Sequence, residues 1–325
     1  MTKPHILLVG GAGYIGSICG RALALAGFSV STLDNLSTGH REAAAGTLYE
    51  ADLLDPVQLA EVFADARPDA VLHFAARSIV GDSVRMPLDY FHANVTGTLN
   101  LLQAMRQAGC VRMVFSSTCA IFGEPERLPL DEDHPRRPLS PYGHSKEMIE
   151  RVLSSCREQE GFSVTMLRYF NAAGATADGS LGESHSPETH LIPLALDARY
   201  GRRPPLKVFG TDYDTPDGTC IRDYVHVEDL AEAHRLALQR LLDGDRGDAY
   251  NLGTGDGTTV REVLDTIATV TGAPVPHSDA PRRPGDAPAL YAAADKAARV
   301  LGWRPTRSFT EIVETAAAWS QAPRF

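Results

Sequence analysis

The fold is decided by one stretch of the sequence, Gly10-Gly11-Ala12-Gly13-Tyr14-Ile15-Gly16. It follows the strand-like run His5–Val9 and opens a helical pattern over residues 15–26, which is rich in Ala and Leu and stops at Gly27. Glycine at positions 10, 13 and 16 permits a tight turn and lets backbone N–H groups and a helix N-terminus approach a pyrophosphate. Strand, turn, helix and strand in this order predict a βαβ unit that binds a dinucleotide. A glycine-rich turn without a ligand is the simpler alternative.

A carboxylate stands at the end of the second predicted strand, residues 28–33. Asp34 comes twenty-four residues after Gly10, where a carboxylate can accept both ribose hydroxyls of an adenosine and repel a 2′-phosphate. We therefore predict NAD, in preference to NADP, as the cofactor. The other role open to Asp34 is to start a loop, because Asp is common in turns.

Strand-like and helical segments alternate through the first half of the chain. Strand composition recurs at residues 70–74, 111–115 and 162–168, and helical patterns at 88–108 and 141–159. This alternation is typical of a parallel sheet covered on both faces. We predict an α/β fold: a doubly wound, Rossmann-type sheet over residues 1–176 and a second, smaller mixed α/β domain over 177–325. The helical pattern near residues 221–245 is expected to pack back on the first domain.

Composition narrows the class of protein. The chain has 325 residues, enough for about two domains, and a formal net charge of −10, which gives no polycationic surface for nucleic acid. No apolar run reaches membrane-spanning length and no signal peptide is recognisable, so we expect no membrane partner. Five cysteines without a C-x-x-C pair suggest a reducing compartment. We therefore expect a cytoplasmic protein.

A phenol and an ammonium stand four residues apart in Tyr142-Gly-His-Ser-Lys146. On a helix they share one face, and a nearby cation favours the phenolate that a general base requires. An exposed tyrosine beside a solvated lysine is the alternative. Thr118 follows a predicted strand at its carboxyl end, where open α/β sheets place their ligands. Thr118, Tyr142 and Lys146 are therefore the candidate catalytic residues.

With these motifs the sequence resembles the extended short-chain dehydrogenase/reductase family, and within it the UDP-galactose (UDP-glucose) 4-epimerases, over essentially the whole chain. The motifs that carry the resemblance lie at residues 10–16, 33–36, 74–83, 115–118, 141–146, 168–171, 182–183, 188–193, 209–213, 217–227, 250–253 and 282–286.

The resemblance implies interconversion of UDP-galactose and UDP-glucose by transient oxidation at the sugar C4 carbon, with NAD as cofactor and Tyr142 as acid and base. It implies that a UDP-sugar binds in the 177–325 domain and that the protein is a homodimer. The implied cofactor-binding residues are Gly10, Gly13, Tyr14, Ile15, Gly16, Asp34, Asn35, Asp52, Leu53, Phe74, Asn94, Tyr142, Lys146 and Tyr169. The implied substrate-binding residues are Thr118, Tyr142, Asn171, Leu191, Phe209, Arg222, Arg283, Asp286 and Leu290.

Several alternatives stay open at the level of the sequence. The size of Leu290, in the implied sugar site, leaves UDP-N-acetylhexosamines and UDP-pentoses as possible substrates. A 4,6-dehydratase typically has an Asp-Glu pair after the catalytic hydroxyl, whereas here Cys119-Ala120 follow Thr118. Ser78 stands where a well-known bacterial member of the family has a lysine near the cofactor. Outside the enzymes, the alternative is a non-catalytic regulatory protein that binds NAD.

The eleven histidines show no established metal-binding spacing such as H-E-x-x-H. We therefore predict no metal site from the sequence.

Overall fold

The computed structural model describes residues 3–283 and 286–325, so Met1 and Thr2, and Pro284 and Gly285 of the predicted motif at 282–286, lie outside the described residues. A parallel seven-stranded sheet forms the centre, in the order β11-β6-β5-β4-β1-β2-β3, and confirms the predicted Rossmann-type fold. The strands are β1 His5–Val9, β2 Ser29–Asp34, β3 Thr47–Glu50, β4 Ala70–His73, β5 Arg112–Ser116, β6 Ser163–Arg168, β7 Asn171–Ala173, β8 Leu206–Phe209, β9 Ile221–Arg222, β10 Tyr224–His226, β11 Ala249–Asn251, β12 Thr258–Thr259, β13 His277–Ala280 and β14 Ala289–Leu290.

Helices cover both faces of this sheet. Leu59, Leu101 and Leu153 from three helices lie in the apolar core on one face. Leu23 and Leu230 lie in the core on the other. The helices are α1 Tyr14–Leu25, α2 Pro56–Ala66, α3 Val80–Arg85, α4 Pro87–Tyr90, α5 Gly97–Gln107, α6 Pro141–Gln159, α7 Leu191–Arg199, α8 Val227–Leu242, α9 Val260–Thr271, α10 Asp295–Val300 and α11 Phe309–Gln321.

The strand order reverses beside β1, which places the ligand crevice. Strand β1 pairs in parallel with β2 on one side and with β4 on the other. Ligands of such sheets bind at the carboxyl ends of the strands near this reversal. The glycine turn after β1, Asp34 at the end of β2 and Ser116 at the end of β5 all lie along this edge.

The predicted helix over residues 88–108 is interrupted. A π-helical turn, Phe91–Thr96, separates α4 from α5. The buried side chain of Asn94 lies in this turn and donates to Arg77 O and to Ser145 Oγ, both at 3.0 Å, while its Oδ1 accepts from Arg77 N at 2.8 Å. These bonds fasten the turn to α6 and to the loop after β4. Such π-helical turns are frequent at functional sites.

The C-terminal half contributes to the central sheet and also builds a smaller unit. Helix α8 packs beside α1 on the sheet, and β11 extends the sheet beyond β6. Residues of α7, α9 and α11 form a separate apolar core, next to the small sheet β12-β9-β14. Within residues 3–283 and 286–325, no helix combines the length and the apolar character needed to cross a membrane. The domain boundary at residues 176 and 177 stays a prediction.

Candidate active site

The segment that follows β5 carries the hydroxyl of Thr118, which can donate a hydrogen bond to a ligand. Thr118 is buried and caps a 3₁₀ turn, Cys119–Ile121. Its Oγ1 accepts a hydrogen bond from Ala120 N at 3.1 Å. Because a hydroxyl also has one donor, Thr118 can still donate to a substrate oxygen.

Helix α6 brings Tyr142 and Lys146 to the same place. The helix begins at Pro141, and the side chain of Ser140 accepts a hydrogen bond from Gly143 N at 3.1 Å, which fixes its first turn. Lys146 Nζ donates to the carbonyl of Ser116, the last residue of β5, at 2.8 Å. Helix α6 also packs against the turn Cys119–Ile121, which Thr118 caps. The structure therefore assembles all three predicted catalytic residues in one corner of the crevice.

Burial determines the protonation states of Tyr142 and Lys146. It raises the pKa of Tyr142 to about 12, although hydrogen bonding with Thr118 lowers the value in part. Burial also lowers the pKa of Lys146 to about 7, opposed by the charge of Glu150. The sequence predicted a lowered pKa for Tyr142. In the protein alone this is wrong, because burial of the phenol dominates and Lys146 is itself buried against Ser116 O.

A second tyrosine lies behind the catalytic corner. The Tyr169 hydroxyl hydrogen-bonds with Ser116 Oγ, and the Tyr169 carbonyl accepts from Cys119 N at 3.1 Å. Ser116 therefore positions Lys146 through its carbonyl and Tyr169 through its hydroxyl. Of the hydroxyl-bearing residues 116–118, only Thr118 was predicted to be catalytic, although Ser116 and Ser117 carry a hydroxyl at the same end of the strand.

The glycine turn is shaped by close backbone contacts. Gly10 has a φ of +77°, and a Cβ there would lie 2.4 Å from Ala75 N. A Cβ on Gly16 would lie 2.3 Å from the carbonyl oxygen of Gly10. At Gly13, by contrast, a Cβ would meet only Gly10 O, at 3.5 Å, so space remains in front of the turn. In the described chain, α1 has neither a side-chain cap nor an acidic residue in its first turn. This terminus suits an anionic group such as a pyrophosphate.

The predicted adenosine-binding residues lie beside this turn. Asp34 is buried; one carboxylate oxygen accepts from Ala12 N at 3.0 Å and the other from Leu36 N at 2.9 Å. Asn35 donates to the Asp52 carboxylate at 2.9 Å, which brings the loops after β2 and β3 together. These contacts hold the carboxylate of Asp34 beside the glycine turn.

The other predicted cofactor residues border the same crevice. Tyr14, at the start of α1 with Ile15, donates its hydroxyl hydrogen to Gly174 O at 2.5 Å. Phe74 follows β4, and its ring centroid lies 4.9 Å from that of His234. Leu53 packs against the core beneath the sheet edge. Together with the turn, these residues fit a dinucleotide.

Two arginines predicted to bind the substrate converge on one carboxylate. Arg283 Nε donates to Asp286 Oδ2 at 2.8 Å, and Arg222 Nη2 lies 3.6 Å from Asp286 Oδ1. The Arg283 guanidinium also lies over the Phe209 ring, 5.1 Å from its centroid. Asp286 thus holds two cations beside an aromatic ring, a set of groups that can bind phosphates and a base.

Leu290 links the two ends of the site. It pairs with Arg222 in the register of β14 and β9. Its side chain packs against the apolar cluster that contains Cys119, the neighbour of Thr118. Asn171, on β7, donates to Asp223 O at 2.9 Å. Leu191, the first residue of α7, packs in the C-terminal core.

Asp223 is a buried residue of this region that the sequence analysis did not select. Its carboxylate accepts hydrogen bonds from Thr254 N at 3.1 Å, from Thr254 Oγ1 at 2.8 Å and from Ala292 N at 3.0 Å. Burial raises its pKa to about 6 in spite of these bonds. Its position next to Arg222 in the sequence was a signal that could have identified it. Its hydrogen-bond partners lie 31 and 69 residues away and could not be predicted from the sequence.

Residues 6–253 match the NAD dependent epimerase/dehydratase family. The chain belongs to this family. Membership confirms the predicted family and, at the level of the family, the predicted cofactor. The chain is 50% identical over 320 residues to the UDP-glucose 4-epimerase of Rhizobium meliloti (strain 1021), and the alignment covers 98% of each protein.

Solved structures of epimerases have the same fold. The UDP-glucose 4-epimerase from Brucella ovis in complex with NAD is 47% identical, with a TM-score of 0.95 and 98% of each chain covered. The UDP-glucose 4-epimerase from Bifidobacterium longum in complex with NAD⁺ and UDP is 34% identical, with a TM-score of 0.93 and the same coverage.

Proposed function

We propose that this member of the epimerase family interconverts UDP-galactose and UDP-glucose. The observation that carries the proposal is the arrangement of the crevice: the acid/base corner of Thr118, Tyr142 and Lys146 is joined through Leu290 to the arginine pair around Asp286. Curated relatives of 45 to 50% identity are named UDP-glucose 4-epimerases, which supports this choice of substrate. A UDP-sugar is therefore the proposed binding partner.

The glycine turn and Asp34 would hold NAD, with the pyrophosphate at the N-terminus of α1 and the adenosine ribose at the carboxylate. When bound, NAD⁺ supplies reversible hydride acceptance at the sugar C4 carbon. Asn35, Asp52, Leu53 and Phe74 would border the adenosine half. Lys146, which uses one of its three donors on Ser116 O, would offer the others to the second ribose.

Tyr142 acts as the acid and base of the reaction. Its oxygen takes the proton of the sugar 4-hydroxyl as the C4 carbon is oxidised, and it returns a proton to the same oxygen after reduction from the other face. With a pKa raised to about 12, Tyr142 is protonated at pH 7 in the protein alone. It becomes a base only when positive charge is brought beside it. Thr118 donates a hydrogen bond to the reacting oxygen.

The protein would bind the UDP portion of the substrate tightly and its sugar loosely. Arg222 and Arg283 would clamp the diphosphate, because guanidinium groups pair with phosphate through two parallel hydrogen bonds. Asn171, Leu191 and Phe209 would surround the uridine portion, whereas Thr118 and Tyr142 contact the sugar. Loose contact with the sugar lets the 4-keto intermediate turn over and present its other face.

The test is conversion of UDP-galactose by purified protein without added NAD. We expect UDP-glucose to form, and we expect Tyr142→Phe to slow it by roughly 10²- to 10⁴-fold while bound NAD is retained. Tyr49→Phe is the matched control, because Tyr49 bonds Asp65 on the surface, at the edge of the sheet. A Tyr142→Phe protein that reacts at nearly the normal rate would refute the mechanism.

Parallel assays with UDP-N-acetylgalactosamine and UDP-xylose show which sugars the pocket at Leu290 accepts. Conversion of UDP-galactose alone would make Leu290 a barrier to larger groups, and Leu290→Ala should then admit the acetamido sugar. Elimination of water from the sugar, or no conversion even with added NAD, would contradict the proposed reaction.

We also propose a homodimer through an apolar face on α3, α4 and α6. These helices contact one another, and Val80, Val84, Leu88 and Met148 on them are exposed apolar side chains. A second copy of the chain would cover them. Val84→Glu combined with Met148→Glu should halve the mass seen by sedimentation, whereas Leu25→Glu, at an exposed position on α1, should not. A monomeric unaltered protein would overturn this proposal.

We propose further that residues 1–176 bind NAD and 177–325 bind the UDP-sugar, and that the protein acts in the cytoplasm. All five cysteines are free thiols, a state that a reducing compartment maintains.

A further inference from the structure

Four potential metal ligands lie close together in the segment that leads into α7. They are Glu183, His185, Glu188 and His190, and one ligand atom from each lies within 4.8 Å of the others. The Glu-x-His-x-x-Glu-x-His spacing matches none of the patterns considered in the sequence analysis, which predicted no metal. The segment forms neither helix nor strand up to His190, so the loop brings these side chains together.

The ligand atoms lie close enough to one another to converge on a single ion. His190 Nδ1 lies 2.5 Å from Glu183 Oε1 and 3.3 Å from Glu188 Oε1. His185 Nδ1 lies 3.2 Å from Glu183 Oε1 and 3.7 Å from Glu188 Oε2. Ligand atoms placed tetrahedrally at 2.0–2.1 Å from a zinc ion are about 3.3 Å apart. Three of the four distances are close to this value, whereas the 2.5 Å contact between His190 and Glu183 is a hydrogen-bond distance that has to lengthen when an ion binds.

Glu183 gives a second, independent indication. Its side chain is only 7% exposed, and its buried Oε1 faces the Nδ1 atoms of both His185 and His190. His185 Nδ1 is buried as well, and among the described residues it has no partner of hydrogen-bond geometry. Unsatisfied buried polar atoms are rare and costly. A cation between the two side chains would satisfy both atoms.

The geometry points to a divalent-cation site formed by Glu183, His185, Glu188 and His190, in the segment that leads into α7. Two imidazole nitrogens and two carboxylates suit a first-row transition ion, above all Zn²⁺. Mg²⁺ and Ca²⁺ prefer shells made of oxygen ligands, so the two nitrogens disfavour them. The exposed His190 side chain, 50% accessible, leaves an entry path for the ion.

The ion would fasten a connecting segment that several elements already hold. Trp319 Nε1 on α11 donates to Glu183 O at 2.8 Å, and His40 Nε2 lies 3.2 Å from Ser184 O. The His185 ring meets the ring of Tyr14, at the start of α1, edge to face with centroids 6.4 Å apart. Leu191, the first residue of α7, follows His190 directly. The site is therefore structural: it ties the start of α7 to the first turn of α1.

The experiment uses the full-length protein and Zn²⁺ itself. The protein is treated with EDTA, transferred to chelator-free buffer and titrated with Zn²⁺ against a fluorescent zinc indicator. We expect one equivalent to bind per chain, and we expect His185→Gln combined with His190→Gln to weaken binding by roughly 100-fold or more. His92→Gln combined with His277→Gln, which alters two exposed histidines elsewhere, is the matched control and should bind like the unaltered protein.

Melting temperature and Co²⁺ absorption give independent readouts. Zn²⁺ at about 100 times its dissociation constant should raise the melting temperature of the unaltered protein by roughly 4 to 8 °C, and should leave the His185/His190 variant unchanged. Co²⁺ should show the visible absorption of a four-coordinate ion in the unaltered protein only. Failure of the EDTA-treated unaltered protein to bind Zn²⁺, or equal binding by the His185/His190 variant, would overturn the proposal. The measurement of Zn²⁺ binding by the unaltered protein does not depend on whether a variant folds.

Discussion

Replacing Lys146 by Met is expected to stabilise the cofactor-free protein while it disables the reaction. The Lys146 side chain is 3% exposed, and burial lowers its pKa from 10.5 to about 7. The fold therefore disfavours the charged form of this residue. Methionine has a similar length and no charge, so it can occupy the same space without that cost.

The magnitude follows from the pKa. One pKa unit corresponds to about 1.4 kcal/mol, so the charge on Lys146 costs the folded state about 5 kcal/mol below pH 7. Methionine also removes the bond to Ser116 O and leaves that carbonyl without its partner, which costs about 1–3 kcal/mol. The variant should therefore be more stable by about 2–4 kcal/mol at pH 6.

The stability difference between the Lys146→Met variant and the unaltered protein changes sign with pH. Between about pH 7 and 10.5 the unfolded chain holds the Lys146 proton more strongly than the folded protein does, so the stability of the unaltered protein rises through this window. The advantage of the variant should shrink over the same range. Above it, only the loss of the hydrogen bond remains, and the variant should be the less stable protein.

The assay is urea unfolding at pH 6, 7, 8 and 9 after removal of the cofactor, together with epimerase activity. Lys207→Met is the control, since Lys207 is exposed on β8 and its replacement should give a small difference without this pH dependence. A Lys146→Met protein that is no more stable than the unaltered one at pH 6, or whose advantage is the same at every pH, would refute the reasoning.

Three further changes test other parts of the site. Arg283→Met should weaken UDP binding by roughly 10- to 100-fold in calorimetry, because a charge-assisted bond is lost; Arg282→Met, which removes a surface pair with Asp212, should not. Glu150→Gln should cost about 3–5 kcal/mol in urea unfolding, because it breaks the buried pair with Arg168, whose closest contact is 2.6 Å. Thr118→Val should reduce turnover at least about 10-fold in the UDP-galactose assay, whereas Thr118→Ser, which keeps the hydroxyl, should stay within a few-fold. Normal turnover by the valine variant would remove Thr118 from the mechanism.

Local chemistry made the dinucleotide half predictable. The glycine turn, the alternating strands and the helix Pro141–Gln159 are each specified within a few residues, and the structure has them where the sequence placed them. The substrate half was different. Arg222, Arg283 and Asp286 were identified only through resemblance, because the contact that joins Arg222 to Asp286 spans 64 residues of chain and no local pattern predicts it.

Burial was the property that the sequence could not supply. The four-residue spacing of Tyr142 and Lys146 gives their shared helix face but not the apolar surroundings that raise the pKa of one and lower that of the other. The π-helical turn at Phe91–Thr96 depends on Asn94 bonding to segments 17 and 51 residues away. The Glu183–His190 cluster likewise depends on how the loop closes.

The late position of α8 and β11 in the chain has a consequence for synthesis on the ribosome. Both elements complete the central sheet, yet they follow β6 by some sixty to eighty residues. At about 5–20 residues per second, one apolar face of the newborn sheet and the free edge of β6 stay uncovered for roughly 3 to 16 seconds after β6 emerges. During that interval the nascent chain exposes a strand edge on which another chain can pair. Chaperone demand during translation should therefore peak between residues 168 and 251.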